Sequence, residues 1–425
     1  MKREITPLHG IKAEVTVPGS KSFTQRALVI AALAEGESTL YDPLFAEDTH
    51  LLMAALKAVG VTLRCEDNRI CISGLKHPPV APKNPLYLGN NGTGFRLMTA
   101  FCALGEGKFI LTGDRRLCER PIFPLIYALK KLGVKASCQG EMGTPPVEIK
   151  ASGITGGQVT LRDVESSQFV SALLMVAPYM PRGLSLTLLG KVPSLPYIEM
   201  TCETMKAFGV EVETPAPGTY GVKGGTSYRG CTYQVEGDAS SASYFFLAAA
   251  LTEGKVRIRN LSAKSKQGDL RVLEIMEQMG IQVTRDDSGL EVIGKPLRKG
   301  DLTLSLADIP DMVPTLAMLA AVREGKTVIT DVAHLRHKES DRLHVLATEL
   351  NNIGVRVEET ADGLIIFGGT ARGGEIETYN DHRIAMSFAC LGLRIPGIVI
   401  RGSECVSKSF PDFWEKFEAL RKGSA

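Results

Sequence analysis

Six short polar segments carry the residue types in this sequence that could do chemistry. Each contains Ser, Asn or Asp, and each leads directly into an apolar stretch rich in Ala and Leu. The six segments are Gly19-Ser20-Lys21-Ser22, Asn90-Asn91-Gly92-Thr93, Ser166-Ser167-Gln168, Asp238-Ala239-Ser240-Ser241, Pro310-Asp311 and Asn380-Asp381-His382-Arg383. Ser, Asn and Asp are ordinary helix N-caps, so capping explains part of this pattern.

Capping does not explain the cations that accompany these segments. A positive side chain near a helix N-terminus is unfavourable by about 0.3–1 kcal/mol, and a bound anion would compensate that cost, since helix N-termini bind phosphate and carboxylate. Two phosphorylated carboxylic acids carry roughly −5 to −6 of charge, which eight cations can balance. The eight candidates are Lys21, Arg26, Arg96, Arg120, Lys338, Arg342, Arg383 and Lys408.

Two carboxylates stand among these cations. Asp311 lies at a predicted helix start, and Glu339 lies between Lys338 and Arg342. Neighbouring cations favour the ionised form, so both are expected to be charged at pH 7. An ionised carboxylate in a cationic site is a candidate general base. An ordinary acid at a helix N-terminus is an equal alternative for Asp311.

The apolar stretches that position these residues recur along the chain. An amphipathic helix pattern alternates with them, and strand and hairpin patterns follow it, with turns such as Asp287-Ser288-Gly289 and Ala361-Asp362-Gly363. The apolar stretches begin near Arg26, Arg96, Gln168, Ser243, Val313 and Arg383, 70 to 75 residues apart. The amphipathic helices end in glycines typical of helix C-termini, at Gly60, Gly133, Gly209, Gly280 and Gly354.

One unit therefore contains strand, apolar helix, strand, amphipathic helix and hairpin. The apolar helix has little polar face and is expected to be buried all round. Six units predict two α/β domains of three units each: residues 18–236, and a discontinuous domain of 1–17 with 237–425. Two facing domains would enclose a positive cleft with the active site. A solenoid of stacked repeats is the alternative, but solenoid repeats are usually about 20–50 residues long.

The bulk composition bounds the classes of function. The 425 residues carry a net charge of +2, so no overall field attracts nucleic acid or membrane. The sequence contains no apolar run long enough for a membrane span and no signal-peptide pattern at its start. Nine cysteines without a C-x-x-C pair argue against a disulfide framework and against a zinc site. We therefore expect a cytoplasmic protein.

Three motifs suggest other functions, but their spacing does not match the required patterns, and one cysteine lies close to a candidate cation. Pro18-Gly19-Ser20-Lys21-Ser22 lacks the glycine that a phosphate-binding P-loop has directly before its lysine. The glycines from Gly89 to Gly94 do not follow the dinucleotide fingerprint. The histidine cluster, His334, His337 and His344, matches no zinc pattern. Cys118, close to Arg120, is expected to be an inert thiol.

Nine motifs in chain order resemble those of the EPSP synthase family of enolpyruvyl transferases. They are PGSKSFTQRALVIAALAEG, LGNNGTGFRLMTA, ERPIFPLIYALKKLG, ESSQFVSALLMVAP, EGDASSASYFFLAAA, IPDMVPTLA, HKESDRL, YNDHRIAMSF and KSFPDFWEKF. The resemblance implies a two-domain inside-out α/β barrel, which agrees with the repeat pattern. It also implies that phosphoenolpyruvate and shikimate 3-phosphate react to release phosphate, without metal or organic cofactor.

The resemblance implies binding roles by motif. Shikimate 3-phosphate would contact Lys21, Ser22, Arg26, Ser166, Ser167, Gln168, Ser194, Tyr197, Asp311 and Lys338. Phosphoenolpyruvate would contact Lys21, Gly92, Arg120, Gln168, Arg342, Arg383 and Lys408, with Asn91 close by. Asp311 would accept the proton of the attacking hydroxyl, and Glu339 and Lys21 would handle the proton of the methylene carbon.

Three positions depart from the family pattern. His334 stands where the family commonly has an asparagine that helps to bind shikimate 3-phosphate. Asn91 and Leu97 stand where many members have an alanine and a proline.

Two alternative functions stay open at this stage. One is the sister transferase that acts on UDP-N-acetylglucosamine, whose reactive cysteine lies farther from the matching arginine than Cys118 does from Arg120. The other is a non-catalytic repeat protein that binds anions, which would not explain Asp311 and Glu339. A monomer is expected, since such enzymes are commonly monomeric.

Overall fold

The chain divides into two compact units. A computed structural model describes residues 1–286 and 289–421. The first unit is Gly19–Val235, and the second combines Met1–Pro18 with Glu236–Ala425. The turn predicted at Asp287-Ser288 lies outside the described residues.

Two kinds of α-helix alternate along the described part of the chain. They are numbered in chain order: α1 (Lys21–Leu33), α2 (Glu47–Ala58), α3 (Gly92–Ala103), α4 (Phe123–Lys131), α5 (Gln168–Val176), α6 (Pro196–Ala207), α7 (Ala239–Leu251), α8 (Arg271–Gln278), α9 (Val313–Val322), α10 (Arg342–Asn352), α11 (His382–Gly392) and α12 (Phe413–Ala419). The odd-numbered helices are the apolar ones, and α7 is buried along its whole length. Their alanines and leucines leave no polar face for solvent.

The even-numbered helices bury one face and expose the other. In α10, for example, Leu343, Val345 and Leu346 are buried. The predicted C-terminal glycines after α2, α4, α6, α8 and α10 have positive φ angles, between 85° and 106°. Glycine adopts this left-handed conformation without the steric cost that a Cβ brings.

The strands of the described ranges form six open sheets. Those of the first unit are, in spatial order, β14 (Thr232–Gln234), β3 (Glu37–Tyr41), β5 (Arg69–Ser73), β4 (Thr62–Glu66); β6 (Leu86–Tyr87), β7 (Glu106–Thr112), β9 (Val147–Ser152), β8 (Lys135–Cys138); and β10 (Gly157–Arg162), β11 (Leu184–Leu189), β13 (Thr219–Val222), β12 (Glu213–Ala216). Those of the second unit are β2 (Lys12–Val15), β15 (Lys255–Ile258), β17 (Gly289–Ile293), β16 (Gln282–Asp286); β18 (Leu302–Ser305), β19 (Gly325–Thr330), β21 (Leu364–Gly368), β20 (Arg356–Glu359); and β22 (Gly374–Glu377), β23 (Ile398–Arg401), β1 (Lys2–Glu4).

The sheets share one pairing pattern. The first pair of each is parallel, and the following pairs are antiparallel, as in β18–β19–β21–β20. The last sheet has three strands, because β1 from the chain start pairs with β23 in place of a hairpin. Each unit has its own hydrophobic core, built around its three apolar helices. The prediction of a mixed α/β fold is confirmed.

Within the described residues, no helix is both long enough and apolar enough to cross a membrane.

Candidate active site

In the first unit, the starts of α1 and α3 bring cations and amides together. The Nζ of Lys21, on the first turn of α1, lies 3.2 Å from Oδ2 of Asp48, which is on the first turn of α2. Asn91 caps α3 by accepting a hydrogen bond from the backbone N–H of Gly94, and its amide donates to the Asp48 carbonyl at 2.7 Å. The same amide donates to Gln25 Oε1 at 3.0 Å. Lys21 is thus linked to the start of α3.

Gly92 lies against two guanidinium groups. A Cβ built on Gly92 would lie 2.5 Å from Arg120 Nη2 and 2.7 Å from Arg96 Nη1. Arg120 is buried and donates to the Asn90 side chain at 3.1 Å. Arg96 donates to the Gly92 carbonyl and, at 2.8 Å, to Gln168 Oε1. Glycine at position 92 therefore lets both cations approach one backbone position.

Gln168 opens α5 and connects it to α3. Its side chain accepts from Arg96 and donates to Thr93 Oγ1 at 3.0 Å. Ser166 accepts from the backbone N–H of Gln168 at 3.2 Å, and Ser167, at the N-cap position of α5, is buried without a side-chain cap bond. Ser166, rather than Ser167, satisfies an N–H group at this helix start.

Arg26 is fully buried beneath the start of α1. Its Nε donates to Thr201 Oγ1 at 2.7 Å, and Nη2 donates to the Tyr197 carbonyl at 3.0 Å. Nη1 donates to the Ser22 carbonyl at 3.0 Å. Burial lowers the pKa of this guanidinium to about 10. The buried guanidinium of Arg26 thus donates these hydrogen bonds to a hydroxyl and to backbone carbonyls, which are uncharged.

The segment that leads into α6 carries two further predicted residues. Ser194 adopts a positive φ of 59°, which is uncommon for a residue with a side chain. Its carbonyl accepts from the Tyr197 N–H at 3.1 Å, and the Tyr197 ring lies 5.9 Å from the Arg26 guanidinium. Ser194 and Tyr197 therefore belong to the surroundings of Arg26.

In the second unit, Asp311 is the centre of an ion-pair cluster. It lies in the 3-10 turn Pro310–Met312 before α9, and its Oδ2 accepts from Arg383 Nη2 at 2.8 Å. Oδ1 accepts from Arg342 Nη1 at 2.9 Å, and Lys338 Nζ lies 3.6 Å from the same oxygen. Burial alone would raise the pKa of Asp311, but Arg383, Lys338 and Arg342 hold it well below its usual range. Asp311 is therefore ionised, as predicted.

Arg342 ties Asp311 to two further carboxylates. Its Nη2 lies 2.8 Å from Glu339 Oε2, and its Nε lies 2.8 Å from Asp381 Oδ2. Asp381 also caps α11 by accepting from the Arg383 N–H at 3.0 Å, and it accepts from Ser340 Oγ at 3.0 Å. The buried Asp381 thus binds the side chain of Arg342 and the backbone N–H of Arg383.

Arg383 joins α11 to the start of α7. Its Nη2 donates to Ser240 Oγ at 3.3 Å, and its Nη1 donates to Tyr244 Oη at 3.4 Å. Asp238 caps α7 by accepting from the Ser240 N–H. Asp269, before α8, accepts from the Ser240 hydroxyl. The three apolar helices of this unit therefore all start at one polar network.

His334 lies next to this network. Burial, with further contributions from Lys338 and His337, lowers its pKa to about 3, against an opposing effect of Asp311. Its imidazole is therefore neutral near pH 7. Its Nε2 is buried without a hydrogen-bond partner among the described residues.

Lys408 ends the 3-10 turn Ser403–Lys408 and is buried. Cys118 is half-buried, with its Sγ 3.8 Å from Thr112 Oγ1 and from the Gly113 carbonyl.

The sequence identified the cations of both clusters better than their acidic partners. In the first unit, the sequence analysis named the cations Lys21, Arg26, Arg96 and Arg120 but not Asp48, the acid that pairs with Lys21. In the second unit, four acids lie in the same polar network as the predicted cations. The cations are Lys338, Arg342 and Arg383, and the acids are Asp311, Glu339, Asp381 and Asp269. Asp381 was predicted only as an N-cap, and Asp48 and Asp269 not at all. Asp48 follows Glu47 at a helix start, where acids are common, so its sequence context gave no signal.

In the described ranges, no three His, Cys, Asp or Glu side chains are grouped closely enough to hold a metal ion.

Comparisons with known proteins cover nearly the whole chain. The family model for EPSP synthase (3-phosphoshikimate 1-carboxyvinyltransferase) matches residues 5–417. A 3-phosphoshikimate 1-carboxyvinyltransferase of Syntrophobacter fumaroxidans is 43% identical over 99% of this chain and 100% of its own length. One of Nostoc punctiforme is 41% identical over 96% of each chain. The solved EPSP synthase of Acinetobacter baumannii superimposes with a TM-score of 0.81 at 32% identity, over 99% of this chain and 98% of its own. This chain belongs to the EPSP synthase family.

Proposed function

We propose that this chain transfers the enolpyruvyl group of phosphoenolpyruvate to the 5-hydroxyl of shikimate 3-phosphate, giving EPSP and phosphate. Family membership over the full length supports this reaction. The same family places it in the shikimate pathway, which leads to chorismate and the aromatic amino acids. The two polar clusters described above supply the residues that bind and convert the substrates.

The observation that carries the assignment is the environment of Asp311. Its carboxylate is ionised and is occupied by two guanidinium groups, those of Arg383 at 2.8 Å and Arg342 at 2.9 Å. Substrate phosphates and carboxylates are stronger competitors for these arginines than a single carboxylate, because they bring more charge. Anions that engage Arg342 and Arg383 would leave Asp311 able to accept a proton.

The binding roles follow from the chemistry of each group. Shikimate 3-phosphate binds to hydroxyl, amide and cationic groups: Lys21, Ser22, Arg26, Ser166, Ser167, Gln168, Ser194 and Tyr197, with Asp311 and Lys338 on its hydroxyl groups. Phosphoenolpyruvate binds to Lys21, Arg120, Gln168, Arg342, Arg383 and Lys408, and Gly92 leaves room beside it. Arg26 recognises an anion without competition from an acid, since its described partners are neutral.

The reaction then proceeds by addition and elimination. Asp311 accepts the proton of the 5-hydroxyl as the hydroxyl oxygen bonds to C2 of phosphoenolpyruvate, and the pair Glu339 and Lys21 handles the proton that is added to C3. The tetrahedral intermediate then loses phosphate from C2 and returns a proton from the methyl group to the pair Glu339 and Lys21, which restores the double bond. The arginines stabilise the departing phosphate, because fixed cations oppose the charge that develops on it.

The finer architecture belongs to the same proposal. The chain is built from six repeats of one strand-helix-strand-helix-hairpin unit, and β1 takes the place of the hairpin in the sixth. Three units form each of the two domains, as an inside-out α/β barrel with its apolar helices inside. A cytoplasmic monomer without cofactor stays the prediction from the sequence.

Phosphate release tests the proposed function. The purified chain is given shikimate 3-phosphate and phosphoenolpyruvate, separately and together, and free phosphate is measured over time. The proposal expects release only when both substrates are present, with EPSP formed in equal amount. A folded chain that releases no phosphate from the pair would instead be an anion-binding protein.

A further inference from the structure

Asp269 is a buried acid that the proposed reaction does not use. It lies in the 3-10 turn Gly268–Leu270, directly before α8, and is 3% exposed. Its Oδ2 accepts a hydrogen bond from the hydroxyl of Ser240, in the first turn of α7. A buried carboxylate is costly unless a partner compensates it, so its location needs a physical reason.

The Ser240 hydroxyl connects Asp269 to Arg383. A hydroxyl has one hydrogen to donate and two lone pairs to accept. Since the hydrogen points to Asp269, the oxygen is left as an acceptor for Arg383 Nη2, which lies 3.3 Å away. The same nitrogen is 2.8 Å from Asp311 Oδ2. Asp269, Ser240, Arg383 and Asp311 therefore form one continuous chain of contacts.

The charges along this chain favour a single arrangement. Burial, followed by repulsion from Asp311, raises the pKa of Asp269 to about 6, while Arg383 opposes the rise. The carboxyl is therefore mostly ionised near pH 7, and two acids share the charge of one arginine. An uncharged group in place of Asp269 would release the Ser240 hydroxyl to rotate and would shift the attraction on the Arg383 guanidinium towards Asp311.

We propose that Asp269 is a positioning residue for Arg383 and acts through the hydroxyl of Ser240. By fixing that hydroxyl as an acceptor, it holds the guanidinium in the orientation that receives phosphoenolpyruvate. This inference rests on the proposed function, in which Arg383 binds phosphoenolpyruvate.

The first experiment compares KM values for the two substrates. Asp269→Asn keeps the shape of the side chain and removes its charge. It is expected to raise KM for phosphoenolpyruvate about tenfold or more, since small displacements of a binding group cost that much, and to leave KM for shikimate 3-phosphate within about threefold. Ser240→Ala removes the bridge without touching the acid and is expected to have the same effect.

The double variant, Asp269→Asn with Ser240→Ala, tests whether Asp269 and Ser240 act on Arg383 together. If Asp269 works through Ser240, combining both changes adds little to either alone, because residues in one contact chain are not additive. Effects that multiply would show two independent roles and overturn the proposal. Ser240→Ala also keeps the question answerable if Asp269→Asn folds poorly.

A pH profile separates positioning from a merely structural role. The ratio of wild-type to Asp269→Asn kcat/KM for phosphoenolpyruvate is used, because the titration of the substrates cancels in it. The ratio is expected to fall towards one as the pH falls through about 6, where wild-type Asp269 becomes uncharged. The charged groups that face Asp269 are Asp238, Asp311 and Arg383, and both proteins retain them. A ratio that does not change with pH would contradict the proposal.

Glu291→Gln is the matched control. Glu291 is a buried acid of the same unit, on β17, and pairs with Arg257 at 3.0 Å. Its loss is expected to lower thermal stability and to leave both KM values unchanged. If wild-type protein is active and Asp269→Asn keeps a normal KM for phosphoenolpyruvate, the inference fails alone. If wild-type protein releases no phosphate, the proposed function itself fails.

Discussion

A methyl group at position 92 would test whether Arg120, one of the two arginines beside Gly92, binds phosphoenolpyruvate. In Gly92→Ala, the new Cβ would lie 2.5 Å from Arg120 Nη2, 2.6 Å from Arg120 Cζ and 2.7 Å from Arg96 Nη1. Ordinary contacts between such atoms begin at about 3.5 Å. The guanidinium groups must therefore move by about 1 Å. The helix itself tolerates the change, because alanine favours helices more than glycine does.

The displacement should appear in the affinity for one substrate. A shift of about 1 Å in a binding group can cost up to about 100-fold. The flexible ends of two arginine side chains can absorb part of it, so we expect KM for phosphoenolpyruvate to rise about 10- to 100-fold. KM for shikimate 3-phosphate should stay within about threefold, since its proposed partners around Arg26 are not displaced.

Steady-state kinetics with each substrate varied in turn measures both effects. Gly221→Ala is the matched control: it lies on β13 of the same unit, and its Cβ would meet its nearest neighbour, Glu213 Cβ, at an ordinary 3.6 Å. It should change neither KM value. An unchanged KM for phosphoenolpyruvate in Gly92→Ala would refute the assignment of Gly92 and Arg120 to that substrate.

Three further predictions concern single side chains. Cys118→Ala should keep kcat/KM within about threefold, because the thiol lies against Thr112 and Gly113; loss of activity would revive a reactive-cysteine mechanism. His334 is neutral, with a pKa lowered to about 3 by burial, so His334→Asn should keep KM for shikimate 3-phosphate while His334→Leu raises it; equal effects of the two changes would exclude a polar role. Burial raises the pKa of Asp269 from its usual 3.8 to about 6. The folded protein therefore holds this proton more tightly than the unfolded chain does, which stabilises the wild-type fold fully below pH 3.8, and this contribution is lost as the pH rises through about 6. Urea unfolding should therefore show Asp269→Asn gaining stability relative to wild type across that window, by about 1.4 kcal/mol per unit of pKa shift, and a difference that does not vary with pH would contradict the shift.

The sequence predicted the parts of the fold that depend on local pattern. Apolar stretches without a polar face gave the buried helices, and Gly60 and Gly133 marked helix ends because their backbone conformation needs glycine. The family could also be recognised, since its motifs occur in order along the whole chain. Both kinds of signal are contained in neighbouring residues.

Asp48, Asp269 and the ion pair of Asp381 could not be predicted, because their contacts join distant parts of the chain. Arg342 meets Asp381 across 39 residues, and Arg383 meets Ser240 across 143. Asp269 precedes a helix like any N-terminal acid, and only packing shows that its partner is a hydroxyl of another helix. The proposed site roles rest on these contacts.

In the proposed reaction, the Asp311 carboxylate accepts a proton while the surrounding cations hold two anions. Asp311→Asn tests it most directly, by comparing shikimate 3-phosphate binding in calorimetry with kcat for phosphate release. Because the change removes a negative charge from an anion site, binding should persist. Loss of a general base should lower kcat about 100- to 10,000-fold. Near-normal turnover in Asp311→Asn would contradict the account.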